Sequence, residues 1–103
     1  MFTKDHIVQV VENTRINITV HAIRRMHERN ILMDDICEVL KQGALIEEYR
    51  DDYPYPSCLI MGRLSDRIFH VVCSFSDPLY IITAYEPDLT EWENDYRTRK
   101  KVK

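Results

Sequence analysis

The late part of the chain holds three apolar stretches around which the rest is organised. Cys58–Met61, Ile68–Phe75 and Leu79–Tyr85 are short, rich in β-branched and aromatic residues, and end at turn-type residues. Gly62–Asp66 separates the first two and Ser76-Asp77-Pro78 the last two. Loops this short favour antiparallel hairpins, because a parallel return needs a crossover of about a dozen residues. The pattern predicts a three-stranded antiparallel meander in which the 67–75 strand lies between 57–64 and 79–85. Everything upstream must dock on it.

Upstream the apolar period lengthens. Thr3–Glu12 reads as a helix capped by Thr3, with Ile7, Val8 and Val11 as its apolar stripe. Asn13-Thr14 breaks it, and Arg15–Ile18 alternates like a short half-buried edge strand. Thr19 is placed to cap a second helix over Val20–Asn30, with Val20, Ala22, Ile23 and Met26 facing inward and Asn30 as a left-handed stop. Asp34–Gln42 reads as a third helix with acids at its N-terminus, Lys41 at its end and Gly43 at the left-handed position beyond. Ala44–Tyr49 is a strand with Leu45 and Ile46 inside, and the two prolines of Arg50–Pro56 make a semi-rigid loop. After Pro87-Asp88, Thr90–Tyr96 reads as a short helix. The expected class is α+β: N-terminal helices on one face of a four-stranded antiparallel sheet, with a short C-terminal helix.

Composition narrows this picture. At 103 residues the chain is expected to be one domain, and 45% hydrophobic residues suffice for one core. No apolar run reaches the ~20 residues of a membrane span, and the N-terminus lacks a signal-peptide core, so no membrane role is expected. Cys37, Cys58 and Cys73 have no C-x-x-C spacing and suggest buried thiols in a reducing, cytoplasmic setting. The net charge of −3 is unevenly placed, because five of the fourteen Lys and Arg fall in Arg97–Lys103. Residues 1–96 carry nine positive and seventeen negative groups, a formal −8. Such a body is a poor general nucleic-acid binder unless a local basic patch exists. The 97–103 run of like charge reads as a basic mobile tail.

The candidate chemistry is a set of His, Arg and Tyr residues. His21 and Arg25 fall on one helical stripe with Arg29, flanked by Arg24, and clustered cations can hold a phosphate while imidazole serves as acid or base. A solvated face with Arg paired to Glu28 or to the acids of 47–52 explains the same pattern. His70 lies mid-strand with Ile68 and Val72, opposite Phe69, Val71 and Cys73. It is a ligand-facing group if that face is open, or a hydrogen-bonded core histidine if it faces the helices. Tyr85, read as sharing a face with Ile81 and Thr83, can stack a base or cap the core. His21, Arg25, His70 and Tyr85 are thus the candidate catalytic residues, with Arg24, Arg29 and Arg63 as candidate substrate-binding cations. His21 and His27 fall on different helical faces, and Cys58, His70 and Cys73 lack zinc spacing, so neither a metal nor another cofactor is expected.

Several segments then resemble a known family. They are His21-Ala22-x-x-Arg25-Met26-x-x-Arg29-x-Ile31, Gly43-x-x-Ile46-Glu47-Glu48-Tyr49, Pro54-x-Pro56-Ser57-Cys58-Leu59, Gly62-Arg63, Phe69-His70-Val71-Val72, and Ile81–Asp88 followed by Trp92-Glu93 and Arg97-x-Arg99. In this order and spacing they resemble the bacterial and archaeal family called domain of unknown function 4258, from about Thr3 to Lys100. Met33 stands where that family usually has a Ser or Thr cap, which weakens the helix start. The family looks like a relative of RelE- and BrnT-type toxins, whose sheet face cleaves or contacts RNA, and its genes often neighbour a small antitoxin-like protein. The resemblance implies a RelE/BrnT-like fold and a toxin-like protein of a type II toxin–antitoxin-like pair. The implied partners are the antitoxin-like protein, RNA or a second copy of the chain. Two functions stay open: an endoribonuclease working through the His/Arg cluster, and a non-catalytic protein-interaction module on the same fold.

Overall fold

The computed structural model describes residues 3–101. Its first helix, α1 (Lys4–Glu12), is capped by Thr3, whose Oγ1 accepts from His6 N. Strand β1 (Ile16–Ile18) leads into α2 (Val20–Glu28), capped by Thr19 through Ala22 N at 3.0 Å. Asn30, just beyond α2, has φ 55°, so it is the left-handed stop that its short amide side chain suits. Helix α3 (Met33–Gln42) begins without a Ser or Thr cap; the Asp35 carboxylate accepts from Leu32 N at 2.9 Å and secures the first turn instead. Strands β2 (Ala44–Tyr49), β3 (Ser57–Leu64), β4 (Arg67–Ser74) and β5 (Leu79–Tyr85) follow.

The meander forms as expected: β4 pairs antiparallel with β3 and with β5. A two-residue turn, with Ser65 at φ 56°, joins Leu64 to its partner Arg67. Among the described residues the sheet nevertheless has five strands in the order β1-β5-β4-β3-β2, not four, and it is mixed. Strand β1 adds parallel to β5, Ile16 opposite Leu79 and Ile18 opposite Ile81. Three residues of alternation gave no pairing partner; the long crossover through α2, α3 and three strands supplies it.

Two register shifts set which side chains meet. On β5, Val72 pairs Thr83 while Cys73 pairs Ile81, so Ile82 is the extra residue. On β2, Leu45 pairs Ile60 while Glu47 pairs Leu59, so Ile46 is the extra one. The first bulge places Ile81 and Ala84 together in the core, so Tyr85 does not share a face with Ile81. Strict alternation fails there, since a bulge moves every later residue by one step.

The helices cover one sheet face. Ile7, Val10, Ala22, Met26, Ile36, Val39 and Leu40 pack on Cys58, Ile60, Phe69, Val71, Cys73, Leu79, Ile81 and Ala84. Val20 and Ile23 were expected inside but lie exposed, because only the narrow Ala22–Met26 stripe of α2 reaches the sheet. The second face carries Leu59, His70 and Tyr85, and the C-terminal segment folds over its Tyr85 end. No helix forms over Thr90–Tyr96. Residues 91–100 make a small hairpin instead, with Trp92 bridged to Arg99, Glu93 N bonded to Thr98 O at 2.8 Å and Lys100 N to Glu91 O at 2.9 Å. The Asp95 carboxylate accepts from the backbone N–H groups of Arg97 and Thr98, and Tyr96 has φ 59°. These local bonds outcompete a helix of seven residues, which is too short to offset its nucleation cost. The expected mobile tail is therefore folded over Arg97–Lys100, while residues 102 and 103 lie outside the described residues.

Candidate functional site

The hairpin buries Trp92 to 2% exposure against the second sheet face. Its ring meets His70 edge-on, with centroids 4.5 Å apart, and the Arg99 guanidinium lies over the same ring at 4.5 Å. Arg99 in turn bonds both carboxylate oxygens of Glu47, at 3.0 and 3.2 Å, and Tyr49 Oη at 3.4 Å. The bulge on β2 is what turns Glu47 toward this face. These contacts raise the Arg99 pKa further, and burial together with Glu47 pushes the Tyr49 phenol up to about 12.

His70 is fully buried and both ring nitrogens are engaged. Nε2 lies 2.7 Å from Tyr96 O, and a carbonyl can only accept, so Nε2 carries the proton. Nδ1 is then an acceptor, and Tyr85 Oη, 3.3 Å away, donates to it. Burial lowers the His70 pKa, opposed by the Tyr96 carbonyl, and burial raises that of Tyr85. A neutral imidazole thus holds a neutral phenol in place.

Tyr85 opens onto a cleft of about 550 Å³ lined by Arg29, Glu86, Pro87, Asp88, Glu91, Trp92 and Arg99. Arg29 reaches it because its Nη1 donates to Ala84 O at 2.8 Å. Arg67 fixes that corner, bonding the carbonyls of Arg29 and Asn30 and the Glu86 carboxylate at 2.8 Å. Two guanidiniums and a phenol therefore converge on one cavity, facing three carboxylates. Such a set can bind an anionic oxygen through Arg and exchange a proton through Tyr85. Among the described residues, no three His, Cys, Asp or Glu side chains gather as a metal site.

His70, Tyr85 and Arg29 are brought together; the other expected residues are not. His21 is exposed on α2, and Arg25 Nη1 pairs with Glu28 Oε1 at 2.8 Å, which lowers the Glu28 pKa. That is the solvated-face arrangement of the stripe. Arg24 is exposed on α2 and Arg63 on β3, and neither lines the cleft. Sequence reasoning missed Glu47, Trp92 and Arg99 as site residues. The Trp-Glu and Arg-x-Arg pieces were visible, but only the hairpin shows that they meet.

His70 makes stability depend on pH. Its folded pKa is lowered, so this contribution is complete above the ordinary value of 6.5 and is lost as pH falls toward the folded value. Urea midpoints should therefore decline from just below pH 6.5, before the carboxylates titrate. In His70→Gln, which keeps an amide donor and acceptor, that early decline should vanish; an unchanged slope would show that His70 is not its source.

The fold and cleft define a small α+β protein with a mixed sheet, helices on one face, and on the other a cleft that holds two guanidiniums, a phenol and three carboxylates. Residues 18–86 match the family described as "Domain of unknown function (DUF4258)", and the chain belongs to that family. No curated protein and no solved structure matches it. Among the described residues, no helix is long and apolar enough to cross a membrane.

Proposed function

We propose that this is the toxin-like member of a toxin–antitoxin-like pair, acting in the cytoplasm as a metal-independent endoribonuclease on a RelE/BrnT-like scaffold. The supporting observation is the hydrogen-bonded chain Tyr85–His70–Tyr96 behind a cleft that holds Arg29 and Arg99. In this reading Arg29 supplies the counter-charge for a phosphodiester, and Arg99, whose charge Glu47 already balances, offers only its remaining N–H groups. The 2′-hydroxyl attacks the adjacent phosphorus and gives its proton to Tyr85 Oη, while Tyr85 passes its own to His70 Nδ1. The bond from phosphorus to the 5′-oxygen breaks, and the proton returns through Tyr85 to that leaving oxygen. The products are a 2′,3′-cyclic phosphate and a 5′-hydroxyl. His21 and Arg25 have no part in this version.

The purified protein, in the presence of a chelator, should cleave single-stranded RNA to those ends, and its expression should arrest bacterial growth. Tyr85→Phe should lower cleavage by on the order of 100-fold, the usual scale for losing an acid–base group. Activity should fall as pH drops below the ordinary His range, because protonated His70 cannot accept from Tyr85. Absence of both cleavage and growth arrest in the wild type would overturn the nuclease reading.

One observation favours the second reading, a non-catalytic interaction module. Glu86, Asp88 and Glu91 line the same cleft and oppose a phosphate. On that reading the chain ignores RNA and pairs with an antitoxin-like protein or with itself, which co-purification and light scattering would reveal.

A further inference from the structure

A second cleft, about 530 Å³, lies on the same sheet face as Tyr85 but toward the other end of β5. Tyr53, Pro54 and Tyr55 of the β2–β3 loop form one side, and Tyr80 and Ile82 of β5 the other. The Tyr55 and Tyr80 rings are nearly parallel, 13° apart in plane, with centroids at 6.3 Å. Tyr53 is 94% exposed. A single exposed aromatic is ordinary, but three tyrosines and a proline around one cleft make an apolar patch of the kind that marks a binding surface.

The loop is pinned at both ends. Asp52 N bonds Tyr49 O at 3.3 Å, the Asp52 carboxylate accepts from Ser57 Oγ, and Phe75 N bonds Pro56 O at 2.8 Å. A partner would therefore meet a preformed wall and save the cost of ordering it.

The charge around the cleft selects the occupant. Among the described residues no Lys or Arg lines it, Asp52 does, and Asp51 is exposed beside it. A phosphate backbone would find no cation among the described residues that line it. Tyrosine faces attract cations, carboxylates pair with Arg or Lys, and aromatic-lined grooves accept the preformed extended backbone of a proline-containing segment. We infer that this cleft binds a basic, proline-containing extended segment of a partner protein. The inference uses none of the residues assigned to RNA cleavage and stands or falls apart from that reading.

The test is fluorescence anisotropy of the full chain with a labelled peptide that alternates proline with arginine. Saturable binding is expected. Tyr53→Ala and Tyr55→Ala should each weaken it about tenfold, as truncation of an aromatic anchor does. Tyr53 is so exposed that its removal should leave the circular dichroism spectrum unchanged. Asp51→Asn should weaken binding severalfold, a glutamate-for-arginine peptide should not bind, and Tyr85→Phe should bind as the wild type does. Equal affinity of wild type and Tyr53→Ala would reveal unspecific charge attraction and overturn the inference, as would absence of saturable binding. Preference for an oligonucleotide, lost with the same tyrosines, would also overturn it and make the cleft a base-stacking platform.

Discussion

Trp92→Ala should lose about 4 kcal/mol of stability, the usual scale for truncating a buried tryptophan, and should melt about 20 °C lower. Three interactions depend on this ring. It fills the space beneath the hairpin at 2% exposure, meets His70 at 4.5 Å, and supports the Arg99 guanidinium over its ring at 4.5 Å. Its loss leaves a cavity against a buried imidazole. It also loosens the segment whose Tyr96 carbonyl satisfies His70 Nε2. An imidazole N–H left buried without an acceptor adds its own desolvation cost. Thermal unfolding followed by circular dichroism measures the effect, because Trp92 is the only tryptophan and fluorescence disappears with it. In the wild type, the fluorescence of that tryptophan should resist acrylamide quenching. A loss below about 1 kcal/mol, the scale of an ordinary surface change, together with ready quenching would mean that the hairpin does not cover the sheet.

Gly43→Ala should cost about 3 kcal/mol, near the upper end for overpacking a close contact. The reason differs from the one the sequence suggests. A glycine after a helix usually serves a left-handed turn, where asparagine is the next best residue. Gly43 has φ −76° and ψ 177°, a conformation open to any residue. Space is what it supplies: an added Cβ would lie 2.5 Å from both Met61 O and Val39 O and 2.9 Å from Ile60 Cγ2. Two of those atoms are backbone and cannot swing aside, so α3 would have to move off β3. Gly43→Asn should then be at least as damaging as Gly43→Ala. If chemical denaturation instead finds asparagine clearly better tolerated than alanine, the left-handed explanation holds and the steric one fails.

Much of the fold was legible in the residues. Thr3, Thr19 and Asn30 act where their side chains predict, because caps and left-handed stops are local bonds that need no distant partner. The β3–β4–β5 meander was legible because short turns leave an antiparallel return as the practical choice. The site was legible only in pieces. Spacing marks His70 and Tyr85 only as separate candidates, and they are cross-strand partners in the β4–β5 register. The His21–Arg25–Arg29 stripe was read as one cluster. Its three members follow helical spacing, yet only Arg29, beyond the last turn of α2, reaches the cleft.

The amino-acid sequence by itself determined the three N-terminal helices, the Thr3 and Thr19 caps, the Asn30 stop, the antiparallel meander and the helix-covered face, because each follows from period, turn chemistry or a local hydrogen bond. Tertiary structure alone decided the parallel docking of β1, since pairing between strands sixty residues apart leaves no mark in three residues of alternation. It decided the two bulges, which turn Glu47 and Tyr85 to the His70 face, because a register shift is chosen by packing on both strands at once. It also decided that the C-terminal segment is a hairpin instead of a helix and a tail. Burying Trp92 on His70 and pairing Arg99 with Glu47 outweigh the helical preference of a seven-residue stretch, and those contacts join residues as much as fifty-two positions apart.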